Sequence, residues 1–173
     1  MDIKSKIRAI PDFPKKGIVF RDITTLIKDP AAFQYTIDTL VKRYVDKPVK
    51  YIVGIESRGF IIGGAIAYQL GKGFIPIRKS GKLPADVASV KYELEYGTDQ
   101  LEIHTDAIGD GDIVVIIDDL LATGGTCKAA VDLVQAQGAE IYECAFIVEL
   151  PELEGRSKIG AQQIYSMLTF KGL

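Results

Sequence analysis

Two adjacent carboxylates precede a turn of small and hydroxyl-bearing residues in the segment at 113–126, which reads IVVIIDDLLATGGT. The run at 113–117 is β-branched throughout, as in strands that are buried on both faces of a parallel sheet. Asp118 and Asp119 therefore come at the carboxyl end of a strand, the edge at which open α/β sheets bind ligands. At this edge two carboxylates can accept hydrogen bonds from the hydroxyl groups of a sugar.

The turn that follows the acids has the composition of an anion site. Thr123 and Thr126 supply hydroxyls, and Gly124 and Gly125 leave backbone N–H groups unobstructed where a helix begins. The helix dipole favours a phosphate monoester there. The alternative is an ordinary connection between strand and helix. Nucleoside triphosphate and dinucleotide sites are disfavoured, because the segment contains neither G-x-x-x-x-G-K-[ST] nor G-x-G-x-x-G.

The segment resembles the signature of the type I phosphoribosyltransferases for phosphoribosyl pyrophosphate (PRPP). Four further segments resemble the members of that family that use adenine, and they read FPKKGIVFRDIT, GIESRGF, IRKSGKLP and YELEYG. The resemblance implies an α/β fold with a mostly parallel central sheet flanked by helices, a small N-terminal hood and a flexible hairpin flap. It also implies an enzyme that converts adenine and PRPP to AMP and pyrophosphate with Mg²⁺.

The resemblance implies a role for each matching residue. Asp118 and Asp119 are expected to hold the ribose hydroxyls and, directly or through water, the Mg²⁺ that accompanies PRPP. The 5′-phosphate is expected at Ala122, Thr123, Gly124, Gly125 and Thr126, and the pyrophosphate at Ser57, Arg58, Arg78, Lys79 and Lys82. A non-proline cis peptide bond near Glu56 and Ser57 is also expected. The alternative for this second loop is a plain connection with a surface arginine.

The purine is expected at the N-terminal segment, because the signature turn holds only the ribose phosphate half of the substrate. In the resembling enzymes an aromatic ring stacks on the purine while backbone groups read its edge, a role implied here for Val19, Phe20 and Arg21. Such stacking contributes about 1–3 kcal/mol per base. Without the resemblance, Phe20 would be assigned to the core.

Ala122 marks a departure from the hypoxanthine and guanine enzymes, which resemble this loop but carry an aspartate at that place. Another group must then take up the proton that the purine ring loses. Glu95 is our candidate, because with Tyr96 it lies in a segment that resembles the flexible catalytic loop of the family. The alternative is a solvent-exposed hairpin glutamate, which we expect for Glu93 and Glu102.

Alternating strands and helices must position these residues, which favours a mostly parallel sheet with helices on both faces. Asp29 and Pro30 predict the start of the first long helix, as N-cap and first helical residue. Further strands are predicted at 51–55, 74–78 and 141–150, and helices at 60–70 and 126–137. Two arms at 87–96 and 100–105, around Gly97, Thr98 and Asp99, predict a flap at about 86–106 that lies apart from the buried sheet.

Composition is consistent with a single domain spanning residues 1–173, with a hood at about 1–30 plus C-terminal residues. Hydrophobic residues make up 47% of the chain, enough for one sizeable core. A net charge of −2 argues against nucleic acid as a partner. No apolar run is long enough to span a membrane and no signal-peptide core is seen, so we expect a cytoplasmic protein. Cys127 and Cys144 are expected to be reduced thiols without chemistry.

Two other functions compete with the implied one. A xanthine or guanine phosphoribosyltransferase differs only in its base, and a non-catalytic regulatory protein that senses PRPP has the same fold. The regulator is disfavoured, because it needs a DNA-reading appendage and a basic surface. The resemblance also implies a homodimer, in which Arg78 or Lys79 can reach the site of the partner.

Overall fold

The structure, a computed structural model, describes residues 1–94 and 97–171. Strands and helices alternate along most of these residues, as the sequence predicts. Their order is β1 (Arg8–Pro11), β2 (Val19–Asp22), α1 (Thr24–Lys28), α2 (Pro30–Tyr44), β3 (Tyr51–Ile55), α3 (Arg58–Leu70), β4 (Gly73–Lys79), β5 (Val87–Leu94), β6 (Gly97–His104), β7 (Ile113–Leu121), α4 (Gly125–Ala136), β8 (Glu140–Glu149), α5 (Gly155–Ile159) and β9 (Ile164–Thr169).

One sheet with the strand order β5-β6-β4-β3-β7-β8-β9 organises the fold. The five strands β4, β3, β7, β8 and β9 pair in parallel with one another in this order. Strand β6 pairs antiparallel with both β4 and β5. The prediction of a mostly parallel central sheet flanked by helices is therefore confirmed. Strands β1 and β2 form a separate antiparallel pair at the N-terminal end of the chain.

The central strand β7 divides two hydrophobic cores. Val114 and Ile116 belong to the core that includes α4, whereas Val115 and Ile117 belong to the core that includes α2 and α3. All four side chains are fully buried, which explains why the sequence of this strand is β-branched without a polar face. Because successive side chains of a strand point to opposite faces of the sheet, the side chains of the next two residues, Asp118 and Asp119, leave β7 on opposite faces.

Local signals in the sequence placed the start of α2 and the end of α3 correctly, whereas α3 begins two residues earlier than predicted and α4 spans Gly125–Ala136. The Asp29 carboxylate accepts hydrogen bonds from the N–H groups of Ala31 and Ala32, at 3.1 and 3.0 Å, and Pro30 is the first residue of α2. Gly71 ends α3 with a left-handed φ of 63°. None of the helices in the described part of the chain has the length and apolarity that a membrane crossing requires.

The prediction for the flap was wrong in two respects. Leu94 pairs with Gly97 and Tyr92 pairs with Asp99, so Gly97–Asp99 belong to β6 and do not form the turn of the hairpin. The hairpin is also an edge of the central sheet, since Lys79 of β4 pairs with Leu101. The reason is that Leu101 and its neighbour on the same face, Ile103, are buried in the core, which attaches the base of the hairpin to the sheet.

Candidate active site

A cavity of about 470 Å³ lies where the carboxyl ends of β3, β4 and β7 meet the hairpin. Strand ends from several sequence segments converge here because the strands are parallel. The two predicted acids and most of the cations predicted to bind pyrophosphate therefore line the same cavity. The lining consists of Glu56, Ser57, Arg58, Lys79, Lys82, Tyr92, Leu94, Asp99, Leu101, Asp118, Asp119, Leu120, Ala122 and Thr126.

The two acids of the signature differ in their surroundings. The buried Asp119 carboxylate accepts a hydrogen bond from the guanidinium Nε of Arg58, at the start of α3. Asp118 instead accepts a 2.9 Å hydrogen bond from the backbone N–H of Asp119. Burial, followed by the nearby Asp119 charge, raises the pKa of Asp118 well above its ordinary value. In the free protein one acid is therefore paired with a cation, while the charged form of the other is disfavoured.

The cations predicted to bind pyrophosphate are also paired with carboxylates. Lys82 bonds to Glu56, and Arg78 Nε lies 3.4 Å from the same carboxylate. Lys79 Nζ lies 2.7 Å from Asp99. Although burial opposes it, the hydrogen bonds from Lys82 and its neighbours hold the pKa of Glu56 below its ordinary value. An anion that binds these cations must compete with carboxylates already in place.

The sequence analysis did not assign Glu56 or Asp99 to the site. Glu56 directly precedes Ser57 in the pyrophosphate segment, which is the signal that could have identified it. Asp99 was assigned to a turn, and only its pairing opposite Tyr92 in the hairpin shows that it points toward Lys79. Arg78 does not line the cavity but donates to the Lys82 carbonyl over 3.3 Å, so it supports the loop from outside.

The pyrophosphate segment has the backbone geometry that was predicted. The peptide bond between Glu56 and Ser57 is cis, which confirms that prediction. Gly59 then brings the first turn of α3 close to β7, because a Cβ at Gly59 would lie 2.8 Å from the Ile117 carbonyl oxygen and 3.2 Å from Asp118 Oδ1. A residue without a side chain is needed at Gly59 for Arg58 to reach Asp119.

The phosphate turn surrounds a smaller cavity of about 80 Å³ next to Asp118. Gly124 has a left-handed φ of 81° and precedes the first residue of α4, so the N–H groups of the first helical turn have no partner within the helix. This is the geometry expected for a site that binds a small anion. All five predicted residues of the turn line this cavity, namely Ala122, Thr123, Gly124, Gly125 and Thr126.

A glycine distant in sequence packs against this turn. A Cβ at Gly155, the first residue of α5, would overlap the Ala122 carbonyl oxygen and would lie 3.1 Å from the backbone nitrogen of Gly124. A Cβ at Gly124 would likewise overlap the Gly155 carbonyl oxygen. The two backbones touch, so the position of the phosphate turn depends on α5. No motif in the sequence pointed to Gly155.

Replacing Gly155 with alanine is expected to raise the KM for PRPP about tenfold or more. The added methyl group meets backbone atoms that cannot rotate away, so the turn must shift, and small displacements of positioned groups have large kinetic effects. Steady-state kinetics with PRPP and adenine varied separately provide the measurement. The control is Gly109→Ala, because a Cβ at Gly109 meets no atom nearer than 3.9 Å. Equal KM values for PRPP in the two variants would contradict the role of Gly155.

The predicted adenine residues lie beside the larger cavity and do not line it. Phe20 of β2 packs edge-on against Phe13 with ring centroids 5.3 Å apart, and its ring centroid is 5.9 Å from the Arg58 guanidinium carbon. Arg21 stacks over Phe170 at 4.5 Å, and its Nε is buried without a hydrogen-bond partner among the described residues. Val19 begins the same strand. The separate β1–β2 sheet therefore reaches the edge of the cavity at Arg58.

Two further predicted residues, Glu95 and Tyr96, lie outside the described residues. A candidate site for metal is formed by Asp118 and Asp119, and no cluster of three or more potential ligands occurs within residues 1–94 and 97–171. Mg²⁺ commonly binds through one or two carboxylates together with substrate phosphates and water. Two carboxylates beside a phosphate turn fit an ion that arrives with its substrate better than a protein-built cage.

Known proteins resemble this chain along nearly all of its length. Residues 25–169 match the family described as phosphoribosyl transferase domain. The adenine phosphoribosyltransferase of Chlorobium limicola is 60% identical over 176 residues, which cover 99% of each chain. The crystal structure of adenine phosphoribosyltransferase from Thermoanaerobacter pseudethanolicus aligns with a TM-score of 0.94 and 51% identity over 98% of each chain. The enzyme from Saccharomyces cerevisiae, complexed with adenine and an imino-altritol bisphosphate, aligns at 0.91 and 41% identity over 96% of this chain and 97% of that one.

Proposed function

We propose how the site works from the premise that this chain belongs to the phosphoribosyl transferase family, whose model matches residues 25–169. Within that family it is an adenine phosphoribosyltransferase, which transfers the 5-phosphoribosyl group from PRPP to adenine and releases AMP and pyrophosphate. The observation that carries this conclusion is the continuity of the two acids with the glycine turn along one edge of the sheet. Xanthine or guanine transfer and PRPP sensing without catalysis are not favoured.

The ribose phosphate half of PRPP lies along the end of β7. The N–H groups and hydroxyls of the phosphate turn, residues 122–126, bind the 5′-phosphate, and Asp118 and Asp119 accept hydrogen bonds from the ribose hydroxyls. Carboxylates at that place also stabilise the positive charge that develops on the sugar ring as pyrophosphate departs. This division is supported by the small cavity at the turn and the larger one beside the acids.

The leaving pyrophosphate binds at the opposite end of the larger cavity. Ser57 and Arg58 at the start of α3 and the cations Lys79 and Lys82 bind it, while Arg78 supports the loop that carries Lys82 through its hydrogen bond to the Lys82 carbonyl. Glu56 and Asp99 hold these cations in place before the substrate arrives, because the ion pairs restrict side chains that are otherwise flexible. Mg²⁺ with the substrate neutralises further charge on the pyrophosphate, and Asp118 and Asp119 are the groups that hold it, directly or through water.

Adenine binds between the hood and the acids. Phe20 stacks on the purine, and the backbone of Val19 and Arg21 reads its edge; the closeness of Phe20 to Arg58 supports this placement. Glu95 takes up the proton that the purine ring loses, and Tyr96 follows it in the segment that resembles the catalytic loop of the family. Wild-type turnover in a Glu95→Gln variant would contradict the role of Glu95.

We also propose a homodimer located in the cytoplasm. Exposed apolar side chains on α3, Ile61 at 46% and Tyr68 at 87% exposure, support an interface on that helix. The Arg78 guanidinium carbon lies 5.9 Å from the ring centroid of Phe60 in the first turn of this helix, so a partner bound there would lie near Arg78. Light scattering of the purified protein tests the oligomeric state, and a monomer at micromolar concentration would contradict it.

The function is tested by product analysis with competing bases. The purified protein is incubated with PRPP, Mg²⁺ and equal concentrations of adenine, hypoxanthine, guanine and xanthine, and the nucleotides are separated by chromatography. AMP and an equal amount of pyrophosphate are expected as the dominant products. Formation of GMP or XMP in excess would support the alternative transferase. Binding of PRPP without release of pyrophosphate would support the regulatory alternative.

A further inference from the structure

A lysine on α5 lies beside the phosphate turn, although it is far from the signature in sequence. Gly155 packs against the turn, and Lys158 follows three residues later, so both occupy the same face of the helix. Lys158 Nζ lies 3.6 Å from the position that a Cβ at Gly125 would occupy. The ammonium group therefore stands within reach of an anion bound at the start of α4.

The segment that forms the phosphate turn contains no cationic side chain. Residues 118–126 contain neither lysine nor arginine. The cations that line the larger cavity are each paired with a carboxylate, Arg58 with Asp119, Lys79 with Asp99 and Lys82 with Glu56. Within residues 1–94 and 97–171, Lys158 has no carboxylate partner and remains exposed. A phosphate monoester with nearly two negative charges would provide the missing partner.

The helix that carries Lys158 is held against the rest of the protein. Arg156 Nε lies 2.6 Å from Glu149 Oε1 and donates a further 3.1 Å hydrogen bond from Nη1 to the Ile164 carbonyl. The buried Glu149 is the last residue of β8, which pairs with β7. The N–H of Leu150 donates a 2.9 Å hydrogen bond to the Leu121 carbonyl at the end of β7. These bonds fix the start of α5, and the backbone contact at Gly155 fixes its distance from the turn.

We propose that the Lys158 ammonium group binds the 5′-phosphate of the ribose phosphate substrate and product. This inference rests on the proposed function, since it extends the phosphate site by a side chain outside the signature segment. The turn supplies hydrogen-bond donors and the helix dipole, whereas Lys158 supplies a full positive charge. Its contribution concerns the 5′-phosphate alone, because pyrophosphate binds at the other end of the larger cavity.

The test compares two ligands that carry the two phosphate groups separately. Binding of ribose 5-phosphate and of Mg²⁺–pyrophosphate is measured by titration calorimetry for the wild type, Lys158→Gln and Lys158→Arg. We expect Lys158→Gln to weaken ribose 5-phosphate binding about tenfold, the size of a charge-assisted hydrogen bond that is partly exposed to solvent. Pyrophosphate binding should change less than about twofold, and Lys158→Arg should restore most of the affinity.

The matched control is Lys128→Gln. Lys128 lies on α4 itself with 41% of its side chain exposed and pairs with Asp132 one turn further along, so its removal changes the net charge without touching the turn. Unchanged ribose 5-phosphate affinity in Lys158→Gln overturns the inference while leaving the proposed function intact. Equal losses for both ligands, or an equal loss in Lys128→Gln, also overturn it, because they indicate a general effect. A wild type that binds neither ribose 5-phosphate nor AMP would refute both the inference and the proposed function.

Discussion

Replacing Asp119 with asparagine is expected to lower kcat by about 10²-fold or more, the effect of removing one positioned electrostatic group from an active site. The Asp119 carboxylate is proposed to do two things. It accepts hydrogen bonds from the ribose, and it holds the Arg58 guanidinium at the pyrophosphate end of the cavity. Asparagine keeps the shape of the side chain and removes the charge, so the loss should appear in turnover with PRPP and adenine.

The stability of the Asp119→Asn variant separates a catalytic effect from a structural one. The Arg58 side chain is 39% exposed, so water replaces much of the lost pairing, and the cost to the free energy of unfolding should be about 1 kcal/mol. Steady-state kinetics and urea unfolding on the same preparation provide the measurements. Asp132→Asn is the control, because it breaks an exposed ion pair on α4. Wild-type kinetics in Asp119→Asn, or an equal loss in the control, would refute the role of Asp119.

Replacing Asp118 with asparagine should make the free protein more stable at neutral pH while it lowers turnover by about 10²-fold. Burial and the adjacent Asp119 charge raise the pKa of Asp118 well above its ordinary value in the folded state. The folded protein therefore disfavours the charged form of this carboxylate. Asparagine has no charge to bury, and its side-chain oxygen can still accept the hydrogen bond from the Asp119 N–H.

The pH dependence of this stability difference has a definite sign. An unfolded chain has an aspartate pKa near 3.9, so below about pH 4 both states of the wild type are protonated at Asp118 and the two proteins should be similar. As the pH rises toward the raised pKa of the folded state, the unfolded wild type ionises first, and the free energy of unfolding of the wild type falls relative to the variant. Urea unfolding between pH 4 and 8 measures this difference. A variant that is less stable than the wild type at pH 7 would show that Asp118 is ionised and paired in the free protein.

Local sequence patterns were sufficient for the central elements of the fold and for the phosphate turn. The apolar run of β7, the helix start at Asp29 and Pro30 and the helix end at Gly71 each depend on residues within a few positions of one another. The five residues of the phosphate turn are consecutive in the chain, so their order already places them around one cavity. The resemblance to a known family added the cis peptide at Glu56 and Ser57, which no local pattern indicates.

Tertiary structure alone decided which charges meet and what supports the turn. Arg58 and Asp119 are 61 residues apart, and their pairing depends on α3 and β7 packing through Gly59. The contact between Gly155 and the turn likewise requires α5 to follow β8 back to the end of β7. Such contacts join elements that lie far apart in the chain and meet only when the sheet is assembled. Spacing along the sequence predicts side chains that share an element, whereas the partners across elements are set by how the parallel strands are arranged in the sheet.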